Sequence, residues 1–213
     1  MKLIIAVPCY GGSVSDKTVT SLFNLGKSLE RQGIEHDLIT LANCSIITQG
    51  RSKIANTFMN VMNADFLLFI DSDIGFESNH VLRLLNRKKH IVCGSYPKKT
   101  IPLQFAHVNT SEPPEMEGDL VKIKGAGLGF TLIHRSVFTN ISKKYPELKY
   151  IPEDPLNEEE KENSYHYFCE LKKNNEYLAE DMSFFYRVRE VGYDVWMDTT
   201  IQLSHVGSHV FSL

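Results

Sequence analysis

An uninterrupted apolar run, Phe66-Leu67-Leu68-Phe69-Ile70, ends directly in Asp71-Ser72-Asp73. A run of this kind is typical of a strand that is buried on both faces, as in the middle of a parallel sheet. The two aspartates mark the point at which the strand reaches solvent. Because two carboxylates this close together repel each other, the segment predicts a divalent cation at the end of a buried central strand.

Patterns typical of strands and helices alternate around this run. Residues 3–7 and 37–41 predict strands with a helix over residues 16–33 between them, and a second helix over residues 49–62 leads into the central strand. Strand, helix and strand in this order join parallel strands through a right-handed crossover. The predicted fold class is therefore α/β, a three-layer α/β/α sandwich with a mostly parallel central sheet. In such sheets ligands bind at the carboxyl ends of the strands.

Composition limits the kind of protein. The chain has 213 residues, of which 42% are hydrophobic, enough for one sizeable core and a single domain. A net charge of -3 gives no general attraction to nucleic acid or to anionic membranes. No apolar segment approaches the roughly 20 residues of a membrane span, and four widely spaced cysteines without a CxxC pair indicate reduced thiols. We therefore expect a cytoplasmic protein with no nucleic-acid partner and no membrane span.

The second half of the chain is less regular. Residues 95–119 include four prolines and predict a long loop over the sheet edge. Residues 153–176 are polar and mostly acidic and predict a solvated loop. Variable loops of this kind commonly carry the recognition of a partner or substrate.

Six short motifs follow one another in an order known from an enzyme family. They are Val7-Pro8-Cys9-Tyr10, Arg51, Asp71-Ser72-Asp73, the turn from Gly125 to Gly129, Glu180-Asp181 and His205-Val206-Gly207. Their order resembles that of GT-A fold glycosyltransferases, which take a sugar from a nucleotide-diphosphate donor with the help of Mn²⁺ or Mg²⁺. The resemblance spans nearly the whole chain and implies a GT-A (Rossmann-like) sandwich. It also implies a nucleotide-binding part at about residues 1–95 and an acceptor and catalytic part at about 96–213.

The resemblance assigns the acids and the C-terminal histidines to the metal end of the site. Asp73 would bind the cation directly, and Asp71 would contact the ribose or a metal-bound water, with Ser72 between them at the nucleotide sugar. His205 would be the second metal ligand, and His209 is the alternative. The competing interpretation of the two aspartates is that they cap the helix that follows.

Further motifs would hold the rest of the donor, again by resemblance. Pro8, Cys9 and Tyr10 would hold the base, with the ring of Tyr10 stacked on uracil. Arg51 would contact the nucleotide, and Gly127 with Gly129 would let the backbone approach the sugar closely. The alternatives are a Tyr10 that packs on its own loop, a surface salt bridge for Arg51 and a hairpin turn at the glycines.

Glu180 and Asp181 are the candidate catalytic residues. In an inverting enzyme Asp181 would take the proton of the attacking hydroxyl. In a retaining enzyme it would bind hydroxyl groups or stabilise a positively charged transition state. The alternative is structural, because acids are favoured at the N-terminus of any helix.

The predicted function is therefore transfer of a sugar from a UDP-sugar donor to a glycan or glycoprotein acceptor. Two other functions stay open: a non-catalytic module that binds nucleotide sugars, and a Mg²⁺-dependent phosphatase similar to haloacid dehalogenases, which also carry a DxD motif after a buried strand. Within the glycosyltransferases, the chain looks like the amino-terminal domain of a larger chlorella-virus protein. That likeness implies the host cytoplasm and further domains beyond Leu213.

Overall fold

The apolar run before the two aspartates forms the third strand of a large mixed sheet in the computed structural model, which describes residues 1–102, 104–207 and 210–212. Helices cover both faces of this sheet. The helices are α1 (Asp16–Arg31), α2 (Ile47–Asn60), α3 (Ser78–Asn86), α4 (Arg135–Lys144), α5 (Glu158–Glu162) and α6 (Glu180–Glu190). The strands are β1 (Lys2–Cys9), β2 (Glu35–Ala42), β3 (Phe66–Ile70), β4 (Ile74–Gly75), β5 (Ile91–Gly94), β6 (His107–Asn109), β7 (Met116–Glu117), β8 (Leu120–Ala126), β9 (Phe130–His134), β10 (Lys149–Tyr150), β11 (Ser164–Tyr165), β12 (Leu171–Lys173), β13 (Glu176–Leu178), β14 (Val195–Asp198), β15 (Ser204–Val206) and β16 (Val210–Ser212).

The main sheet has the strand order β2-β1-β3-β9-β5-β14-β8-β6, with β7 also paired to β8. Strand β1 is parallel to β2 and β3, and β5 is parallel to β14. Strand β9 is antiparallel to both its neighbours, and β8 is antiparallel to β14. Only β8 and β9 thus run against the common direction of this sheet. The predicted fold class, a three-layer α/β/α sandwich with a mostly parallel central sheet, is confirmed.

Strand β3 is buried on both faces, as its apolar sequence predicts. Leu67 and Phe69 belong to the core that α2, α4 and α6 cover. Leu68 and Ile70 belong to the core on the other face, under α1 and α3. Because all four side chains are fully buried, the first residue that reaches the edge of the sheet is Asp71.

Helix α1 buries only some of its apolar residues. Val19 and Phe23 lie at helical spacing but are exposed. The helix instead buries two polar residues: the hydroxyl of Thr18 donates to the carbonyl of Ile74, and that of Ser21 donates to the carbonyl of Phe76. These bonds fasten α1 to the segment that follows the two aspartates. Polar contacts to backbone carbonyls therefore replace part of the apolar packing here.

The two predicted loops are more ordered than the sequence suggests. Residues 95–119 contain β6 and β7, which extend the sheet through β8. In the acidic segment, Glu160 is buried: it accepts hydrogen bonds from the hydroxyl of Thr57 at 2.9 Å and the backbone N–H of Leu156 at 2.7 Å. The acidic segment is thus attached to α2, and the expectation of a solvated loop is wrong for Glu160.

Within the part of the chain that the structure describes, no helix combines the length and the apolar character needed to cross a membrane. All four cysteines, Cys9, Cys44, Cys93 and Cys169, are free thiols.

Candidate active site

Asp71, Ser72 and Asp73 form a tight turn at the carboxyl end of β3. The backbone N–H of Asp71 donates to the carbonyl of Gly129 at 2.9 Å, and the N–H of Ile74 closes the turn on the carbonyl of Asp71 at 3.1 Å. The carbonyl of Ser72 accepts from the N–H of Ser15 at 2.8 Å. The aspartates do not cap the following helix, because the N-cap residue of α3 is Glu77. The capping interpretation is therefore wrong.

His205 lies beside Asp73 because the end of the chain pairs with this turn. Strand β15 is antiparallel to β4, with His205 opposite Ile74, and the N–H of Val206 donates to the carbonyl of Asp73 at 2.8 Å. The side chains then face each other, with Nε2 of His205 at 3.4 Å from Oδ1 of Asp73. His209, the alternative ligand, lies outside the described residues.

The orientation of the His205 ring follows from its other ring nitrogen. Nδ1 lies 2.9 Å from the carbonyl oxygen of Pro97. Because a carbonyl can only accept, Nδ1 carries a proton, and Nε2 is the nitrogen that faces Asp73. Nε2 can donate to the carboxylate when it carries a proton, and it offers a lone pair to a cation when it does not. Histidines that bind metals are commonly oriented in this way by a carbonyl or carboxylate on the second nitrogen.

This pair fits a divalent cation held by two side chains. Among the described residues there is no group of three or more histidine, cysteine or acidic side chains that could hold a metal. Asp73 and His205 would supply one oxygen and one nitrogen, a donor set that suits Mn²⁺, and leave the remaining positions to ligand oxygens. Burial disfavours a charged Asp73, but hydrogen bonds from His205 and Lys99 outweigh it and lower its pKa to about 2. The carboxylate is therefore ionised and ready to bind a cation.

Arg51 forms hydrogen bonds with two acidic side chains of the site, those of Asp71 and Glu180. Its Nη2 donates to Oδ1 of Asp71 at 2.7 Å, and its Nε donates to Oε1 of Glu180 at 3.0 Å. The residue is only 3% exposed, so the ion pair is buried and the alternative of a surface salt bridge is wrong. Nη1 is buried and has no hydrogen-bond partner in the parts of the chain that the structure describes. A contact of Arg51 with the nucleotide stays a prediction.

Glu180 and Asp181 form the start of helix α6, where Glu180 is paired with Arg51. Burial raises the pKa of Glu180, an effect that Arg51 partly offsets. Burial also raises the pKa of Asp181, and the charge of Asp71 adds to the effect, although the N–H of Met182 donates to Oδ1 of Asp181 at 2.7 Å. A carboxylate with a raised pKa is a better proton acceptor near neutral pH than an ordinary one.

The glycine turn packs against this chain's own side chains. A Cβ atom at Gly127 would overlap the hydroxyl of Tyr96, and one at Gly129 would overlap the carboxylate of Asp71. The hydroxyl of Tyr96 also accepts from the N–H of Gly129 at 3.2 Å. The hairpin alternative is wrong, because β5 and β14 lie between β8 and β9 in the sheet. The close backbone approach to a sugar stays a prediction.

The segment after β1 lies at the same edge of the sheet as the two aspartates, because β1 is parallel to β3, and it has one exposed aromatic ring. Tyr10 is 73% exposed, which leaves its face open for stacking. Pro8 and Cys9 belong to β1, where their side chains are buried, and the thiol of Cys9 donates to the carbonyl of Val7 at 3.3 Å. Of the three residues predicted to hold the base, only Tyr10 has an exposed side chain.

Three residues of the site lie in the segment predicted as a loop over the sheet edge, and sequence reasoning missed them. They are Tyr96, Pro97 and Lys99, whose Nζ lies 2.6 Å from Oδ2 of Asp73. A signal was present, because Lys98 and Lys99 follow shortly after the carboxyl end of β5, the sheet edge at which ligands bind in α/β proteins.

Comparisons with known proteins bear on the fold. No family model matches the chain, and no curated protein matches it in sequence. The chain is similar to the crystal structure of A197 from STIV, with a TM-score of 0.58 and 19% identity over 100% of this chain and 94% of that one. It is also similar to a Drosophila β1,4-galactosyltransferase 7 mutant solved with manganese, UDP-Gal and xylobiose, with a TM-score of 0.47 and 17% identity over 97% of this chain and 71% of that one. At 19% identity the first likeness concerns the fold alone.

Proposed function

We propose that the chain is a metal-dependent glycosyltransferase of the GT-A type that uses a nucleotide-sugar donor, with UDP as the nucleotide. The observation that supports this most is the pair formed by Asp73 and His205, 3.4 Å apart at the end of a buried strand, with the second nitrogen of the imidazole held by Pro97. A carboxylate and an oriented imidazole suit a cation that binds a diphosphate. When bound, that cation would neutralise the charge that develops on the leaving diphosphate.

The chain's own residues would then divide the work. Tyr10 would stack on the base, and Asp71, fixed by Arg51, would accept a hydrogen bond from the ribose. In the reaction the bond between the anomeric carbon and the diphosphate oxygen breaks, and a bond to the acceptor oxygen forms. Asp181 would take the proton of the acceptor hydroxyl, a role that its raised pKa favours. Glu180 would keep Arg51 in position.

We propose that residues 1–213 form a single domain, with the nucleotide at about residues 1–95 and the acceptor, a glycan or glycoprotein, at about 96–213. The likeness to a viral glycosyltransferase domain and the location in the cytoplasm stay predictions.

Thermal unfolding with added ligands tests this proposal. The melting temperature is measured with UDP, GDP and CDP, each with and without Mn²⁺. A ligand at about 100 times its dissociation constant stabilises the folded state by roughly 2.7 kcal/mol. We expect a shift that requires UDP and Mn²⁺ together. No shift with any of the three nucleotides would contradict the proposal.

Two assays separate the alternatives. Release of UDP from a UDP-sugar distinguishes an enzyme from a non-catalytic binding module. Hydrolysis of a phosphomonoester would favour the phosphatase, in which Asp71 would act as the nucleophile. The ion pair with the buried Arg51 lowers the nucleophilicity of this carboxylate, so we expect no hydrolysis.

A further inference from the structure

The segment after β5 folds over the pair of Asp73 and His205. We call residues 96–102 and 104–106 the Lys99 loop. Its two ends pair through an antiparallel bridge between Pro97 and Phe105, and the N–H of Lys98 donates to the carbonyl of Gln104 at 2.7 Å. The base of the loop belongs to the site already described, because Pro97 accepts from His205.

Lys99 extends from this base to Asp73. Its Nζ lies 2.6 Å from Oδ2 of Asp73, while Oδ1 of the same carboxylate faces Nε2 of His205 at 3.4 Å. Both oxygens of Asp73 therefore have a partner. An ammonium group on Oδ2 neutralises the charge that would attract a divalent cation to the same carboxylate, so Lys99 and the cation compete for Asp73.

The ion pair is open to solvent. The side chain of Lys99 is 39% exposed and that of Asp73 is 33% exposed. Pairs this exposed contribute little to stability and are screened by salt. Lys99 also has a flexible stem and three rotatable donors, which allow it to change partners without a change in the loop base.

A diphosphate is the partner that the local charges favour. Arg51 is already engaged by Asp71 and Glu180, whereas Lys99 lies directly beside Asp73. A lysine ammonium binds phosphate as a strong point charge, with short charge-assisted hydrogen bonds.

We propose that Lys99 is a substrate-contacting residue that exchanges partners: it pairs with Asp73 in the free protein and moves to the diphosphate when donor and cation bind. This inference rests on the proposed function. It assigns to one side chain two effects of opposite sign. Lys99 weakens the binding of a divalent cation alone and strengthens the binding of a nucleoside diphosphate in the presence of the cation.

The variant Lys99→Gln separates these two effects. Mn²⁺ binding to the protein alone is measured by electron paramagnetic resonance. Binding of UDP, GDP and CDP at saturating Mn²⁺ is measured by calorimetry. We expect Lys99→Gln to bind Mn²⁺ alone more tightly than the wild type, and to bind the preferred nucleoside diphosphate about tenfold more weakly, the loss typical of one charge-assisted hydrogen bond.

Lys98→Gln is the matched control, because it makes the same change of charge one residue away. If Lys99→Gln binds the nucleoside diphosphate no more weakly than Lys98→Gln does, the assignment of Lys99 is overturned while the proposed function stands. If Lys99→Gln does not bind Mn²⁺ more tightly than the wild type in the absence of nucleotide, the competition for Asp73 is overturned. If the wild type binds no nucleoside diphosphate, the proposed function is overturned, and the assignment of Lys99 with it.

Discussion

Arg51 and Asp71 form a buried ion pair that connects helix α2 to the end of the central strand, with 2.7 Å between Nη2 and Oδ1. The same guanidinium holds Glu180 at the start of α6. Burial alone would lower the pKa of Arg51, but Asp71 and Glu180 together raise it, so the guanidinium stays charged. One side chain thus fixes the distance between the aspartate motif and the acidic pair.

Replacing Arg51 should therefore affect stability. We expect Arg51→Met to lower the free energy of unfolding by about 3 kcal/mol, since removal of one partner leaves buried carboxylates without a counter-charge. The free energy of unfolding of Arg51→Lys should lie between those of the wild type and Arg51→Met, because an ammonium keeps the charge but does not bridge two carboxylates as a planar guanidinium does. Urea unfolding measures all three proteins.

Lys161→Met is the control for this prediction. Lys161 pairs with Glu158 on the surface, where both side chains are largely exposed. Its loss should change the free energy of unfolding by less than about 0.5 kcal/mol. Equal effects of Lys161→Met and Arg51→Met would show that the pair of Arg51 and Asp71 has no special structural role.

The central strand and its aspartates could be predicted because their signals are local. A continuous apolar run indicates burial on both faces, and a polar residue at its end indicates the edge of the sheet. For Tyr96 and Lys99 the position after β5 indicates the correct edge of the sheet, but no local pattern indicates which residues they contact. Their partners, Gly129 and Asp73, are 33 and 26 residues away in sequence.

The strand order was equally hidden. Strand β9 lies between β3 and β5 and runs against both. Residues 130–134 show the apolar pattern of any buried strand, and this pattern does not reveal which strands they pair with. Because β9 is antiparallel to β3 and begins opposite Ile70, the glycine turn that precedes β9 lies at the sheet edge where Asp71 lies.

If Asp73 and His205 bind the cation, their replacement should lower activity. Asp73→Asn keeps the size of the side chain but removes its charge, so we expect sugar transfer with Mn²⁺ to fall on the order of 100-fold or more, mainly in kcat. His205→Gln should act in the same direction. Release of UDP from a UDP-sugar measures both. Asp194→Asn is the control, because Asp194 pairs with Lys122 at the surface; a loss of activity there equal to that of Asp73→Asn would contradict the assignment.

The packing of the glycine turn makes a prediction about stability. Because a Cβ at Gly127 would overlap the hydroxyl of Tyr96, we expect Gly127→Ala to lower the free energy of unfolding by about 1–3 kcal/mol. Adding Tyr96→Phe removes the overlapping oxygen. The double variant should therefore lose less free energy of unfolding than the two single variants lose together.

Gly26→Ala is the opposite case. Gly26 lies within α1, and the nearest atom to an added Cβ is Nε2 of His36 at 3.8 Å. Alanine in place of glycine within a helix should raise the free energy of unfolding by roughly 0.5–1 kcal/mol. Thermal unfolding compares these variants. A Gly127→Ala protein as stable as the wild type would mean that Tyr96 does not fill this space.

The raised pKa of Asp181 predicts a conflict between stability and activity. Burial disfavours the ionised carboxylate in the folded state, so at neutral pH the charge destabilises the protein relative to a neutral isostere. We expect Asp181→Asn to raise the melting temperature at pH 7 and to abolish sugar transfer. The new side chain keeps an oxygen that accepts from Met182.

The pH dependence of this difference follows from the direction of the shift. As the pH falls, the folded protein takes up the proton on Asp181 before the unfolded chain does, because the folded pKa lies above the ordinary value of 3.8. The wild type therefore gains stability relative to Asp181→Asn, and the difference in melting temperature should shrink towards pH 4. Calorimetric scans from pH 4 to pH 8 measure it. A difference in melting temperature that stays constant with pH would contradict a raised pKa of Asp181. A variant less stable than the wild type at pH 7 would contradict it as well.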